Sequence, residues 1–224
     1  GYGIEDVADF MRHMTDLPLT VFLTHNHHDH AMGARCFPET YMLEADMADW
    51  RMFTNDEMRR RVLTQAIGKN LTVDEKTFLA GEIPLPKVMK PGVIDLGGLT
   101  AEIIEAPGHT PGSAVMYVPE RKLLLSGDDW NPCTWLFFPQ ALGLREYRSN
   151  MRGIQQLPFE KVLCPHREAL YDRWMFDDFF NALTDGNLRA AEPVNIAPYE
   201  QIDTCQATLP HDQVLVFDWA KSGL

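Results

Sequence analysis

Seven consecutive residues, Thr24-His25-Asn26-His27-His28-Asp29-His30, constrain this chain more than any other stretch. They carry four imidazoles and one carboxylate, ligand types that zinc and other borderline divalent ions prefer. A solvated loop has no reason to gather them so densely. The run is internal and interrupted, so it is no purification tag. Leu19-Thr20-Val21-Phe22-Leu23-Thr24 directly before it is short, β-branched and apolar, which predicts a buried strand. The cluster is therefore expected where a strand gives way to a loop, with sheet-held backbone aiming the side chains.

Ile4, Val7, Ala8, Met11 and Met14 have helical spacing and predict an amphipathic helix over 4–14. After the cluster come a short helix from Ala31, a short strand over 40–43 and a helix over 44–67 that Gly68 stops. From Gly92 the pattern changes to strands, 93–96 and 99–105 around Gly97-Gly98, then 113–118 and 122–126 around Pro119-Glu120-Arg121. A helix over 144–157, a strand over 161–164, a helix over 171–191 interrupted or frayed near Gly186, and a strand over 213–219 complete the prediction. Three more metal-competent side chains fall just beyond predicted strands: His109, Asp128 and His166. Strands of one sheet finish at a common edge, so such residues can converge.

The length of 224 residues suits a single domain, 1–224, with a helical insertion at about 44–90. A net charge of −12 argues against nucleic acid as a partner, because phosphate backbones need clustered Lys and Arg. Arg59-Arg60-Arg61, the one basic run, reads as a solvated helix face. No run of about eighteen apolar residues predicts a membrane span, and no signal peptide is visible. Cys36, Cys133, Cys164 and Cys205 are scattered, as free thiols in a reducing compartment would be. The expected location is cytoplasmic.

Taken together, His25-x-His27-x-Asp29-His30, then His109, Asp128 and His166, resemble the ligand pattern of the metallo-β-lactamase superfamily. The flanking segments Ala106-Pro107-Gly108-His109-Thr110-Pro111-Gly112-Ser113 and Leu125-Ser126-Gly127-Asp128 resemble that family's surroundings for its third histidine and bridging aspartate. The resemblance runs from about residue 15 to 170 and includes all seven ligand positions in order. It implies an α/β fold, the four-layer αββα sandwich, with a dinuclear metal site at one edge. His25, His27 and His109 would hold one ion, and Asp29, His30 and His166 the other. Asp128 would bridge both, and His28 would bind neither. In the family a strand pair with an Asp-x-Gly turn precedes the first helix. Here Gly1-Tyr2-Gly3 stands near the end of that turn, so the expectation is a fragment, a processed chain or half of a split protein.

The resemblance implies hydrolysis. Two divalent ions about 3.5–4 Å apart, most simply zinc, would share a water, lower its pKa and polarise the substrate oxygen. Asp29 and Asp128 are the expected catalytic carboxylates, Asp29 orienting the nucleophile and serving the leaving group. The family's oxygen reductases carry Glu where this chain has His27, which favours zinc. The acidic balance disfavours its nucleic-acid phosphodiesterases, and the bridging Asp128 disfavours true β-lactamases. A small lactone, ester or thioester remains, with β-lactam or phosphodiester hydrolysis and a non-catalytic metal-binding module as alternatives. The aromatic run 130–138 is expected to supply pocket wall through Trp130, Trp135 and Phe137, or else core or a homodimer contact. Trp50, Met52 and Phe53 are expected in the core, with a lid over the site as the other reading. Tyr147 is a candidate oxyanion donor.

Overall fold

The computed structural model describes residues 1–224. The chain forms two compact units, Gly1–Lys90 and Pro91–Leu224.

The first unit is mainly helical. Helix α1 spans Val7–Met14 and is capped by Asp6, whose carboxylate accepts from the Asp9 amide at 3.0 Å. A single helical turn, α2 (His28–Ala31), continues into a tighter turn over Met32–Cys36. Strand β1 (Tyr41–Met42) pairs in parallel with β2 (Lys87–Val88), and between them lie α3 (Trp50–Thr54), α4 (Asp56–Gly68) and α5 (Glu75–Leu79). The strand predicted over 19–24 is reduced to one bridge, Phe22 to Tyr41. Its partner β1 is only two residues long, so the ladder ends where the partner does. The helix predicted over 44–67 is broken at Asn55, whose side chain accepts from the Met58 amide at 2.8 Å and starts α4 afresh. The break lets Trp50 and the α4 residues Val62 and Leu63 enter one core with Leu23, Met42 and Phe78. Arg59 is buried there. It donates to the carbonyls of Gly81 (2.7 Å) and Phe78 and pairs with Asp56 at 3.0 Å, fastening α4 to α5 and the segment after it.

The second unit carries the sheets. Strands β3 (Gly92–Asp95), β4 (Thr100–Glu105), β5 (Ala114–Val118) and β6 (Leu123–Leu125) form an antiparallel meander. Next come β7 (Cys133–Leu136) and helix α6 (Leu144–Gln155). Strand β8 (Lys161–Leu163) then returns parallel to β6, and β9 (Leu170–Asp172) completes a six-stranded sheet ordered β3-β4-β5-β6-β8-β9. Helices α7 (Arg173–Ala182) and α8 (Asp185–Arg189) lead to β10 (Glu192–Pro193), β11 (Thr204–Leu209) and β12 (Gln213–Asp218). These three and β7 form a second sheet ordered β10-β11-β12-β7.

One core draws Val115, Leu124 and Val162 from the first sheet and Ala207, Leu215 and Phe217 from the second, with Tyr147 and Met151 of α6 and Phe176 and Phe179 of α7. Two sheets with helices packed on a shared core match the expected α/β sandwich. The helix predicted over 171–191 is β9, α7 and α8 in succession, and β11 had no counterpart in the prediction. No helix is long and apolar enough to cross a membrane.

Candidate metal centre

In the first unit the candidate ligands ride on the entry to α2. His27 is the residue before that helix and is extended (φ −60°, ψ 148°). Alternate residues of an extended chain project to one side, which brings His25 and His27 together. Their ring centroids are 4.8 Å apart, and His25 and His30 are at 4.1 Å. Asp29 and His30 sit inside α2, with Asp29 Oδ2 and His30 Nε2 at 3.5 Å. Along the chain His25 and His27 precede this turn, and Asp29 and His30 lie within it.

His25 and His27 are only 1% and 4% exposed, so their positions are set by packing. Asn26 between them is locked to Asp46: its amide donates to Asp46 Oδ2 at 3.0 Å, and its Nδ2 donates to the Asp46 carbonyl at 2.9 Å. The Phe53 ring packs edge-on against His27 at 4.7 Å. Trp50 is fully buried, while Met52 is 55% exposed. His28 lies beside Tyr2, and burial lowers its imidazole pKa against an opposing pull from Asp29.

In the second unit His109, Asp128 and His166 meet. Asp128 Oδ2 lies 3.6 Å from His109 Nε2 and 3.3 Å from His166 Nε2. Asp128 follows Gly127, whose left-handed φ of 53° turns the chain sharply after β6. His166 itself is left-handed (φ 64°), a conformation that costs a non-glycine residue energy and tends to survive where function holds it. His109 is 2% exposed, and its Nδ1 contacts the Trp135 carbonyl at 2.6 Å. A carbonyl only accepts, so Nδ1 carries the proton and Nε2, facing Asp128, keeps a lone pair for a metal. The His109 amide donates to Asp129 Oδ1 at 3.1 Å, and the Tyr147 hydroxyl donates to the Asp129 carbonyl.

The aromatic residues require correction. Trp130 is fully buried against Tyr171 and Phe176, a core residue and not a pocket wall. Tyr147 is also fully buried and spends its hydroxyl on Asp129, which removes it as an oxyanion donor. Phe137 is buried beneath Phe138 (centroids 4.6 Å), and Phe138 is the ring that meets His109, edge-on at 5.4 Å. Trp135 alone of the four expected substrate-binding aromatics reaches solvent, at 38% exposure. Asn26, Asp46 and Asp129 carry no expected role at the site, whereas Phe53, expected in the core or as a lid, packs on His27. Of these, Asp129 carried a signal in the Asp128-Asp129 doublet.

The donor set fits a divalent metal. Each unit offers only imidazole nitrogen and carboxylate oxygen, and ligand atoms of His25 and His27, and of Asp29 and His30, lie within 4.8 Å of one another.

Residues 18–166 match the family model of the metallo-beta-lactamase superfamily, a span that holds all seven expected ligands. The chain belongs to that superfamily, and its mixed helix-and-sheet fold is that of the superfamily's hydrolases. Over 189 residues it is 26% identical to the acyl-coenzyme A thioesterase MBLAC2 of Gallus gallus, covering 74% of this chain and 66% of that protein. It thus spans just under two thirds of that relative's length. Among solved structures it resembles a beta-lactamase domain protein from Burkholderia ambifaria (TM-score 0.58, 18% identity, 80% of this chain and 57% of that chain). It also resembles TTHA1623 in a di-iron-bound form (TM-score 0.51, 22% identity, 76% and 80%). These two likenesses establish the fold.

Proposed function

We propose that this chain is a dinuclear metal-dependent hydrolase of small ester-type carbonyl compounds, with a thioester as the leading substrate class and a lactone or simple ester next. The observation that carries the reading is the position of Asp128, one oxygen facing the Nε2 atoms of both His109 and His166. A carboxylate so placed suits a ligand shared by two ions. In this reading His25, His27 and His109 hold one ion, Asp29, His30 and His166 hold the other, and Asp128 bridges. Similarity to a protein named as an acyl-coenzyme A thioesterase supports the thioester. Zinc is the proposed ion because the set is imidazole-rich, with His27 in place of a harder oxygen ligand. A relative in a di-iron-bound form makes iron the ion to test against it.

When bound, such a pair lowers the pKa of a shared water towards neutrality and polarises a carbonyl oxygen. The chain's own residues do the rest. In the first unit Phe53 packs on buried His27, and in the second Phe138 packs on buried His109, so each imidazole is shielded from bulk water by its own unit. Asp29, at the solvent-facing rim with its side chain 19% exposed, orients the attacking water and passes its proton to the leaving thiolate or alkoxide. A thioester plus water gives a carboxylic acid and a thiol. The substrate is the proposed partner. Nucleic acid is disfavoured by the charge of −12.

Metal analysis of the purified chain, together with turnover assays on thioesters, lactones, β-lactams and phosphodiesters, tests the reading. Two ions per chain and turnover of a thioester are expected. Two ions with no turnover across the panel would leave a metal-binding module instead. Asp128→Ala should lose metal occupancy and activity together, and full activity with both ions retained would sink the bridging assignment.

A further inference from the structure

The second unit contains a cavity of about 220 Å³ that the proposed chemistry does not use, between α6 and the turn joining α7 to α8. Arg148 and Arg152, one helical turn apart on α6, line one wall. Gln155, Asn181 and Thr184 add neutral hydrogen-bonding groups, and buried Leu183 contributes apolar surface. The lining therefore holds two guanidinium groups and no carboxylate, in a chain whose net charge is −12.

Arg148 reaches the exposed carboxylate of Asp185 at 2.7 Å, outside the lining. That carboxyl is held below its usual pKa first by the hydrogen bond from Arg148, with Arg189 and Arg145 adding to the effect. Asp185 therefore offsets part of the Arg148 charge from outside the lining, and Arg152 supplies the second guanidinium of the lining. Guanidinium pairs with phosphate oxygens in a two-pronged geometry that a lone ammonium cannot reproduce. Arg152 and the Arg148 nitrogens turned away from Asp185 offer donors to a phosphate, and the flanking amides and hydroxyl suit its remaining oxygens. The volume exceeds that of a bare phosphate and leaves room for a small organic group.

We propose that this cavity between α6 and the α7–α8 turn is a binding site for the phosphate group of a small molecule, separate from the metal ligands. Calorimetric titration of the full chain with inorganic phosphate at low ionic strength tests it. Saturable binding is expected, with at least a tenfold loss of affinity in Arg152→Gln and a smaller loss in Arg152→Lys. Asp128→Ala should bind phosphate as the wild type does, which separates the cavity from capture at metal ligands. Arg152 is exposed, so its variants should keep the wild-type melting temperature. A parallel titration with glycerol phosphate distinguishes the source. Tighter binding than inorganic phosphate indicates an esterified ligand, and equal binding the free anion; both support the site. No saturable binding, unchanged affinity in Arg152→Gln, or loss of binding in Asp128→Ala overturns the proposal.

Discussion

Gly108 shows how closely the residues behind His109 are fitted. A β-carbon there would stand 2.5 Å from the Tyr147 ring and 3.2 Å from Asp129 Oδ1, the atom that holds the His109 amide. Gly108→Ala should therefore destabilise the fold by about 1–3 kcal/mol and lower metal occupancy, as thermal denaturation and metal analysis would show. Tyr147→Phe strands the buried Asp129 carbonyl, at an expected cost of about 1–3 kcal/mol. Burial, and secondarily Asp129, raises the Tyr147 pKa well above 10.0. A folded-state pKa above the unfolded value means this stability is complete below pH of about 10 and is lost as pH rises beyond it. The Phe variant should flatten that alkaline loss in denaturation measured across pH. In the first unit, Asp46→Ala strands the Asn26 amide between His25 and His27. Metal affinity should fall about 10–100-fold, with Asp46→Asn, which keeps an acceptor oxygen, recovering part of it. If direct metal titration shows Asp46→Ala binding as tightly as wild type, Asn26 does not set the histidines. The histidines and aspartates were legible in the sequence because their side chains are rare and their spacing is short. Asn26 and Asp46 were not, because their roles arise from packing partners that only the folded chain brings near.

At the level of elements, legibility followed the length of the periodic signal. Helix α6 was visible because Leu144, Tyr147, Met151 and Ile154 repeat at helical spacing and are all buried. The hairpins β3–β4 and β5–β6 were visible because glycine or proline punctuates them. Strand β11, Thr-Cys-Gln-Ala-Thr-Leu, has no strong apolar run and takes its stability from its pairing with β12. Strand β9 is three residues long, too short for a period to register. The fracture of the long predicted helix at Asn55 reflects a tertiary demand, since one straight rod cannot bring Trp50 and Leu63 into the same core. Arg59 holds the result in place by binding carbonyls within and just after α5. Arg59→Met should therefore cost at least about 2 kcal/mol in urea unfolding, since bonds to a charged donor exceed ordinary ones. A loss under about 0.5 kcal/mol, the range of ordinary surface substitutions, would show that the clamp is not needed.

For the whole chain, ions bound only by the folded state must add stability by mass action. At a free concentration one hundred times the dissociation constant, each site contributes about 2.7 kcal/mol. Chelation should lower the Tm of the wild type, and Asp128→Ala should melt at nearly one temperature with or without chelator. The parallel pairing of β6 and β8 adds a constraint in time. Asp128 and His166 leave neighbouring strands, yet 38 positions separate them along the chain, with α6 wound in between. A chain growing from its N-terminus makes His109 and Asp128 before His166. An ion caught by the first two would exchange with its surroundings until β8 docks beside β6. Closure of the sheet would then fix which ion the chain keeps, making metal selection partly a matter of what is present while the last strand is being made.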